Sequence, residues 1–430
     1  MVPEKVWKTD AVYGISRDLP LNYVERPQID KVFVDNLTRD KHIVIYGSSK
    51  QGKTSLRKHC LQEDDYVVVS CLNTMTLSDL HGAVLKATGY QIMQTTTRTT
   101  GNRLKFDLTF KGKGKVPFIA EAEGGGGVGH ESEKNVEITT ARLEVDLTDV
   151  NDILLAFKEA DFNSYIILED FHYLPIKTQR DFSFALKSFH ENGTVCFIIV
   201  GVWREKNRLV YFNGDLTNRV VSIDVDSWSK AELMEVIKAG EALLNVRFDE
   251  RFCKDTVESC FESVFLVQET CHHVCKSEGV VETTDANRLV GAGLNARTII
   301  KEIVDEQAGR YNAFLNNFSE GFQQTDLEMY KWLLYAVISS SQNNLERGLR
   351  RGAVSSTIKS KHPVGQKLNE GNVTQALINA ADLQVTKDIR PIILDYDQTN
   401  KVLNVVDKSF LIWLAYQNPA ELIADLGIAK

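Results

Sequence analysis

The stretch from Ile43 to Ser55 constrains the fold more than any other part of the sequence. An apolar, β-branched run ending at Tyr46 leads directly into Gly47-Ser-Ser-Lys-Gln-Gly-Lys-Thr-Ser55, which contains the G-x-x-x-x-G-K-T pattern of a phosphate-binding loop. A helical run, Thr54–Cys60, follows it. Because the strand and the helix are both in place, a chance glycine-lysine loop is disfavoured. The pattern predicts a nucleoside triphosphate site.

The residue types in this P-loop suit phosphate chemistry. Gly47 and Gly52 allow a tight turn that points consecutive backbone N–H groups at an anion. Lys53 supplies a positive charge for the β- and γ-phosphates, and the hydroxyl of Thr54 is a ligand for Mg²⁺. We therefore predict ATP and Mg²⁺ as ligands. The predicted phosphate-binding residues are Gly47, Ser48, Ser49, Lys50, Gln51, Gly52, Lys53, Thr54 and Ser55.

Composition narrows the class of protein further. The chain has 430 residues, is 43% hydrophobic and 25% charged, and has a formal net charge of −8, so it is not a nucleic-acid binder over its whole surface. It contains no run of 18 apolar residues and no apolar secretion signal after Met1. We expect a soluble cytoplasmic protein that does not bind membranes.

The seven cysteines are predicted to be reduced thiols. Cys271 and Cys275 flank two histidines, with Cys253 and Cys260 upstream, which raises the possibility of a zinc site. A C-x-x-x-C pattern without a second matching pair is weak, and cysteine is a common small core residue. Core packing is the preferred interpretation.

The order of apolar runs, which includes a predicted strand at Tyr66–Ser70, indicates an α/β fold, in which a parallel sheet of the P-loop NTPase type is wrapped by helices. A segment rich in Thr, Gly and Lys, 95–141, interrupts this rhythm and is predicted to be a β-rich insertion with an exposed hairpin around Leu104. An all-helical lid, which opens with a capping-box pattern from Ser229 to Glu232, is predicted to follow. A winged helix-turn-helix is predicted after it, with a hairpin that turns at Gln398–Asn400. The predicted domains are an ATPase core at 15–226, a lid at 227–310 and a winged helix at 325–417.

A second motif lies more than 100 residues after the P-loop. The predicted strand Tyr165–Leu168 is followed at once by two acids, Glu169 and Asp170, the arrangement of a Walker B motif. One carboxylate at such a strand end holds Mg²⁺, usually through water, and the other can orient or deprotonate the attacking water. We therefore predict that Thr54 and one of these two carboxylates bind Mg²⁺, and that the other carboxylate acts on the attacking water.

Taken together, these motifs resemble the STAND branch of the AAA+-related P-loop ATPases. The resemblance rests on Tyr23-Val-Glu-Arg26, the P-loop, Leu168-Glu-Asp-Phe-His172 and the C-terminal winged helix, and it covers residues 15–417 without the insertion. The archaeal origin-recognition-like ATPases and the maltose-activator-type regulators are similar in pattern. The resemblance implies an ATPase with an α/β P-loop core, a helical lid and a winged helix.

The resemblance also implies roles for individual residues. Tyr23, Val24 and Arg26 match a box on the adenine side of the nucleotide. Glu169 stands where these families usually have the Mg²⁺-linked aspartate, which implies Thr54 and Glu169 as the metal-binding residues, and its longer arm implies slow hydrolysis. Asp170 stands where the second acid lies, so both carboxylates belong to the implied catalytic residues. Arg204 matches a sensor of the γ-phosphate. Arg219 matches an arginine finger reaching a neighbouring subunit, although an ordinary strand-edge arginine is an equal alternative, and His172 either positions the site or packs in the core.

Two functions remain open at this point. In the first, the chain is a slowly hydrolysing switch that self-associates in its ATP form and acts through a protein effector, in a setting such as stress or phage defence. In the second, it is an initiator-type ATPase whose winged helix binds duplex DNA. A basic cluster favours DNA, but the predicted recognition helix, Asn372–Leu383, carries no Lys or Arg. A small-molecule kinase is a weaker third hypothesis, because no second-substrate pocket is evident.

Overall fold

The structure is a computed structural model, and it describes residues 5–14, 18–37, 41–92, 103–109 and 140–428. The strands in these residues are β1 (His42–Gly47), β2 (Tyr66–Ser70), β3 (Tyr90–Ile92), β4 (Arg103–Thr109), β5 (Thr140–Asp146), β6 (Tyr165–Glu169), β7 (Phe197–Val202), β8 (Val220–Asp224), β9 (Val246–Phe248), β10 (Arg288–Val290), β11 (Leu349–Arg350), β12 (Leu394–Asp397) and β13 (Val402–Val405).

The α-helices lie mostly between these strands. They are α1 (Thr9–Val12), α2 (Pro27–Leu37), α3 (Lys53–Cys60), α4 (Leu77–Ala87), α5 (Val150–Glu159), α6 (Ile176–Asn192), α7 (Arg208–Phe212), α8 (Lys230–Leu244), α9 (Glu250–Ser259), α10 (Val264–Ser277), α11 (Ala296–Asp305), α12 (Ala308–Glu320), α13 (Met329–Ile338), α14 (Gln342–Arg347), α15 (Arg351–Lys361), α16 (Glu370–Ile378), α17 (Ala380–Thr386), α18 (Lys408–Ala415) and α19 (Pro419–Asp425).

A five-stranded parallel sheet forms the centre of the predicted ATPase core. Its strand order is β2-β6-β7-β1-β8, and every pairing is parallel. Side chains alternate between its two faces, so Ile43 and Ile45 pack under α2 and α3 while Val44 packs toward α4, α5 and α6. This confirms the predicted α/β sheet and brings the carboxyl ends of β1, β6 and β7 to one edge.

The predicted insertion is a small antiparallel sheet of order β3-β4-β5. Arg103 pairs with Asp146 and Thr109 with Thr140, so a hairpin starts where the alternation around Leu104 predicts one. The sheet begins at Tyr90 and ends at Asp146, and is therefore longer than the predicted segment 95–141. The predicted tip of the hairpin lies outside the described residues.

The lid differs from its prediction in one respect. Helices α8 to α11 are present, and the predicted capping box forms, with Ser229 Oγ accepting from the N–H of Glu232 and Glu232 Oε2 accepting from the N–H of Ser229. The lid is not all-helical, however, because β9 and β10 form a parallel pair. Each strand has only three residues, too few for a sequence period to develop.

The C-terminal module, which we define as residues 325–428, combines helices with a three-stranded sheet of order β11-β13-β12. The predicted hairpin is present, with β12 and β13 antiparallel on either side of a turn at 398–401. The predicted single helix Asn372–Leu383 is wrong, because α16 ends before Asn379 and α17 begins at Ala380. Asparagine competes for backbone hydrogen bonds and suits such breaks.

Candidate nucleotide site

The P-loop joins the end of β1 to the start of α3, as its sequence predicts. Gly47 has φ +148° and Gly52 has φ +86°, backbone conformations that glycine adopts without strain. A Cβ atom on Gly47 would also lie only 2.9 Å from the Val225 side chain. Both glycines are therefore required by the path of the chain.

A cavity of about 290 Å³ lies beside the second half of the P-loop. Residues 50–55 and the box residues Tyr23, Val24 and Arg26 all line this cavity. The remaining lining residues, which come from the N-terminal segment and the lid, are Gly14, Pro20, Asn22, Trp228, Val236, Val264, Phe265 and Gln268. The structure thus brings together two groups of predicted residues that are about 25 positions apart.

Arg26 is held firmly at this cavity. Its guanidinium lies 3.9 Å from the centre of the Trp228 ring, and its Nη1 donates to the carbonyl of Val225 at 3.1 Å. Tyr23 donates its hydroxyl to Asp30 Oδ1 at 2.5 Å. Trp228 was missed by the sequence reasoning, because a lone tryptophan before a helix carries no motif.

Lys53 bonds to its own loop. Its Nζ donates to the carbonyls of Ser48, at 2.6 Å, and Gly47, at 3.1 Å. Burial lowers the pKa of Lys53 to about 8, although Asp226 and Glu169 oppose that shift electrostatically. Because this pKa lies close to neutral pH, the charge of Lys53 and its attraction for anions both depend on pH.

Asp226 holds the first half of the loop, and no sequence motif predicted this role. Its Oδ1 accepts from the N–H of Ser48 at 2.6 Å, and its Oδ2 accepts from the Ser48 hydroxyl at 2.7 Å. Both residues are buried. Asp226 follows β8, whose residue Asp224 pairs with Tyr46 of β1, and this sheet register brings it to the loop.

The C-terminal module also bonds to the P-loop. The N–H of Ser49 donates to the carbonyl of Val406, directly after β13, at 3.0 Å. Val406 also belongs to an apolar cluster, in which Val202 of the core packs with Ala381, Val385, Ile392 and Val406 of the module. Arg208 and Asp395 add a buried ion pair of 2.9 Å between the two parts.

The two acids of the Walker B motif have different surroundings. Glu169 at the end of β6 pairs with Arg57 of α3, with 3.1 Å between Oε1 and Nε. Asp170 has a left-handed backbone, φ +58°, and interacts electrostatically with Lys53 and Arg390. Burial raises the pKa of both carboxyls above their ordinary values. Arg57 was missed because its pairing partner is 112 residues away.

His172 is fully enclosed beside this motif. Its Nδ1 accepts from the N–H of Val202 at 3.2 Å, and its ring lies 4.0 Å from that of Tyr173. Burial lowers its pKa well below the ordinary value, so the ring is neutral. These contacts favour the packed histidine of the two predicted alternatives.

Arg204 and Arg219 lie at opposite ends of the parallel strands. Arg204 follows β7 at the P-loop edge, where its Nε is 3.9 Å from Asp226 Oδ2 and its Nη1 donates to the carbonyl of Glu346 at 2.8 Å. Arg219 precedes β8 and pairs with Glu191 at 2.8 Å. Arg204 therefore connects the P-loop support to the module, whereas Arg219 has no place in its own chain's site.

The lid cysteines are part of the hydrophobic core. Cys271 and Cys275 are buried on α10, and burial raises the pKa of Cys275 to about 12. All seven cysteines are free thiols. Among the described residues, no group of three His, Cys, Asp or Glu side chains is arranged to hold a metal ion, and no helix is long and apolar enough to cross a membrane.

The fold and this loop define a P-loop nucleotide-binding protein. No protein-family model matches the sequence, and no curated protein does. Among solved structures, the chain is similar to the Walker-type ATPase of Pyrococcus abyssi, at 11% identity and a TM-score of 0.52, over 94% of this chain and 99% of that one. This similarity shows that the chain shares the fold of that Walker-type ATPase.

Two further solved structures are similar over nearly the whole chain. One is the ORC2 protein of Aeropyrum pernix in its ADPNP–ADP complexes, at 11% identity, a TM-score of 0.44, and coverage of 96% of this chain and 99% of that one. The other is the ORC1 protein of the same organism in complex with DNA, at 8% identity, a TM-score of 0.44, and coverage of 98% and 97%.

Proposed function

We propose that this chain is an ATP-controlled switch whose C-terminal module is docked on the P-loop in one state and released in the other. One observation carries the proposal. The N–H of Ser49, within the phosphate-binding loop, donates to the carbonyl of Val406 in the module. The module therefore occupies a donor of the type that P-loops direct at nucleotide phosphates.

Docking and phosphate binding at Ser49 compete for physical reasons. A backbone N–H offers one proton, and the Val406 carbonyl and a phosphate oxygen would repel each other if both approached it. ATP can therefore bind Ser49 only in a state in which Val406 has moved away. A ligand that binds two states differently shifts the balance between them by its differential affinity.

Release of the module would uncover an apolar surface. Val202 on the core and the module residues Ala381, Val385, Ile392 and Val406 now bury one another. Exposed apolar patches drive association with other protein surfaces. This supports self-association in the ATP form, or binding of a protein effector, as the output of the switch. A role in stress or phage defence would depend on that effector.

We infer slow ATP hydrolysis from the acidic motif. Mg²⁺ would be held by the Thr54 hydroxyl, by phosphate oxygens and by a carboxylate, and it would neutralise the charge that develops during phosphoryl transfer. Glu169 is engaged by Arg57 at 3.1 Å. Asp170 interacts electrostatically with Lys53 and is the better candidate to orient the attacking water. Arg204 as a sensor and Arg219 as a finger for a neighbouring subunit complete this proposal.

DNA binding is the second candidate, and the C-terminal module carries it. The sheet order β11-β13-β12, with α13, α15 and α16 around it, supports a winged helix at 325–417. In the proposed domain division, the core is 15–226 and the lid is 227–310. Arg347, Arg350, Lys361 and Lys367 are exposed and can meet phosphates. Two other basic residues of this cluster, Arg351 and Lys359, pair with Glu370 instead.

The switch is tested by measuring mass in solution with light scattering, for the wild type and Lys53→Ala, with ATP, ADP or no nucleotide. Limited proteolysis of the same six samples reports module release. We expect a larger mass and faster cleavage for the wild type with ATP alone. Lys53→Ala should resemble the nucleotide-free wild type, because it loses the charge that meets the phosphates.

Identical mass and cleavage in all six samples would rule out the switch. The DNA alternative is separated by adding duplex DNA at low and high salt to the full chain. Salt-dependent retention that is lost when Arg350 and Lys361 are changed to Ala together favours the initiator-type function, since phosphate contacts give a steep salt dependence.

A further inference from the structure

An amide pair lies on the wall of the cavity, away from the P-loop. Asn22 Nδ2 donates to Gln268 Oε1 at 2.8 Å, and Gln268 Nε2 donates back to Asn22 Oδ1 at 2.9 Å. Asn22 is buried, Gln268 is half-buried on α10, and both line the cavity. The two amides thus face each other as a reciprocal, two-bond pair.

A backbone carbonyl fixes the orientation of this pair. Asn22 Nδ2 donates its second hydrogen to the carbonyl of Val236 on α8, at 3.3 Å. If the Asn22 amide turned over, its oxygen would face that carbonyl, and two acceptors would be opposed. Asn22 is therefore locked, and the reciprocal bonds pass the same constraint on to Gln268.

The lock leaves a defined hydrogen-bonding edge. Each primary amide has two N–H groups and an oxygen with two lone pairs. Among the bonds that the described residues make, Asn22 uses both of its N–H groups, whereas Gln268 uses one and has a second to offer. In a planar reciprocal pair, that unused N–H lies beside the unused lone pair of Asn22 Oδ1, on the edge opposite Val236. The pair presents one donor next to one acceptor, in a fixed order.

This order suits one purine base. Adenine carries an amino donor beside the ring acceptor N7, where guanine carries two acceptors. On the Watson–Crick edge, the order of donor and acceptor in guanine is the reverse of that in adenine. With the purine in the same orientation, guanine would set its O6 against Asn22 Oδ1, and the locked pair cannot turn to accept it.

We infer that the locked Asn22–Gln268 pair reads the base and makes this cavity selective for adenine over guanine nucleotides. The inference rests on the proposed nucleotide site and adds its specificity. Gln268 supplies the reading N–H, while Val236 and Asn22 are positioning groups. Because Gln268 and Val236 belong to the lid and Asn22 to the N-terminal segment, the reading edge exists only when these two parts are together.

The test uses calorimetric titration of the full chain with ADP and with GDP. We expect the wild type to prefer ADP by about tenfold or more, the scale of one two-bond base contact. Gln268→Glu keeps the size of the side chain but removes the donor, and should lower the ADP-to-GDP affinity ratio by about fivefold or more. Asn22→Ala releases Gln268 to rotate, and should bring the ratio close to one.

Gln375→Glu, an exposed change on α16 away from the cavity, is the matched control and should leave the ratio at the wild-type value. Equal affinity of the wild type for ADP and GDP would overturn the inference. An equal loss of affinity for ADP and for GDP in Gln268→Glu and Asn22→Ala would also overturn the inference, because the pair would then have only a structural role. If the wild type bound neither nucleotide, the proposed function would fall, and this inference with it.

Discussion

The two halves of the P-loop have opposite surroundings. The first half, Gly47–Ser49, is enclosed by its own chain, because Ser48 bonds to Asp226 and Ser49 bonds to Val406. The second half, Lys50–Ser55, lines an open cavity of about 290 Å³. One loop thus carries a closed end and an accessible end within nine residues.

This difference separates two tasks that are often attributed to a P-loop as a whole. The accessible half, with Arg26, Trp228 and the lid, can accept a base and the nearer phosphates without displacing protein. The closed half can accept a phosphate only if the C-terminal module moves. In the proposed switch, recognition of a nucleotide and response to its last phosphate therefore fall to different parts of the same loop.

The largest expected effect concerns the ion pair that holds the closed half. Arg208→Ala leaves Asp395 buried without its partner, which costs about 3–5 kcal/mol. We expect the free energy of unfolding of the docked form, measured by urea titration, to fall by this amount. Proteolysis of the module should also become faster.

Arg219→Ala is the matched control for Arg208→Ala, because its pair with Glu191 is partly exposed. Its effect should stay within about 1 kcal/mol. Equal effects of the two changes would mean that the buried contact does not hold the module.

An intermediate effect is expected from pH at the same interface. Glu205 is buried and accepts from the N–H and hydroxyl of Thr399 in the module, while Arg208, Asp395 and Asp397 act on it electrostatically. Burial raises its pKa from 4.5 to about 7.

Because burial in the folded chain raises the pKa of this acid, the folded form, in which Glu205 contacts the module, binds the proton more tightly than the unfolded form. The stabilisation of the folded form by this proton is complete below pH 4.5 and is lost as the pH rises through 7. Within that window it falls by about 1.4 kcal/mol per pH unit. Proteolysis of the module from pH 5 to pH 8 should therefore accelerate. In Glu205→Gln, which cannot ionise, the acceleration should disappear, and its persistence would assign the effect to another group.

The smallest effect is expected at the accessible half. Because burial lowers the pKa of Lys53 to about 8, the ammonium is mostly present at pH 7 and mostly absent at pH 9. ADP affinity should fall by up to about tenfold per pH unit above 8. Lys53→Arg keeps its charge throughout this range. If its affinity fell in the same way, the titrating group would lie elsewhere.

Local patterns predicted much of the fold. Strand β2 has the predicted bounds, Tyr66–Ser70, and β6 exceeds its prediction by one residue, because runs of apolar residues report burial on both faces of a parallel sheet. The capping box at Ser229 was predictable for a similar reason, since both of its hydrogen bonds join residues three positions apart.

The parts that were not predicted depend on contacts between distant residues. Asp226 reaches Ser48 through the pairing of β8 with β1, and Arg57 reaches Glu169 across 112 positions. An aspartate after a strand and an arginine on a helix are ordinary residues until the fold places them. The contact of Val406 with Ser49 involves a backbone carbonyl, which every residue has, so no side-chain motif can announce it.

That contact also orders events during synthesis of the chain. The ribosome completes the P-loop and its supporting strands well before it reaches Val406, and domains fold as units from the N-terminal side of a growing chain. The nascent core thus has a free Ser49 N–H until the last part of the chain emerges. A nucleotide present at that time meets a P-loop whose Ser49 N–H is not yet bonded to the carbonyl of Val406.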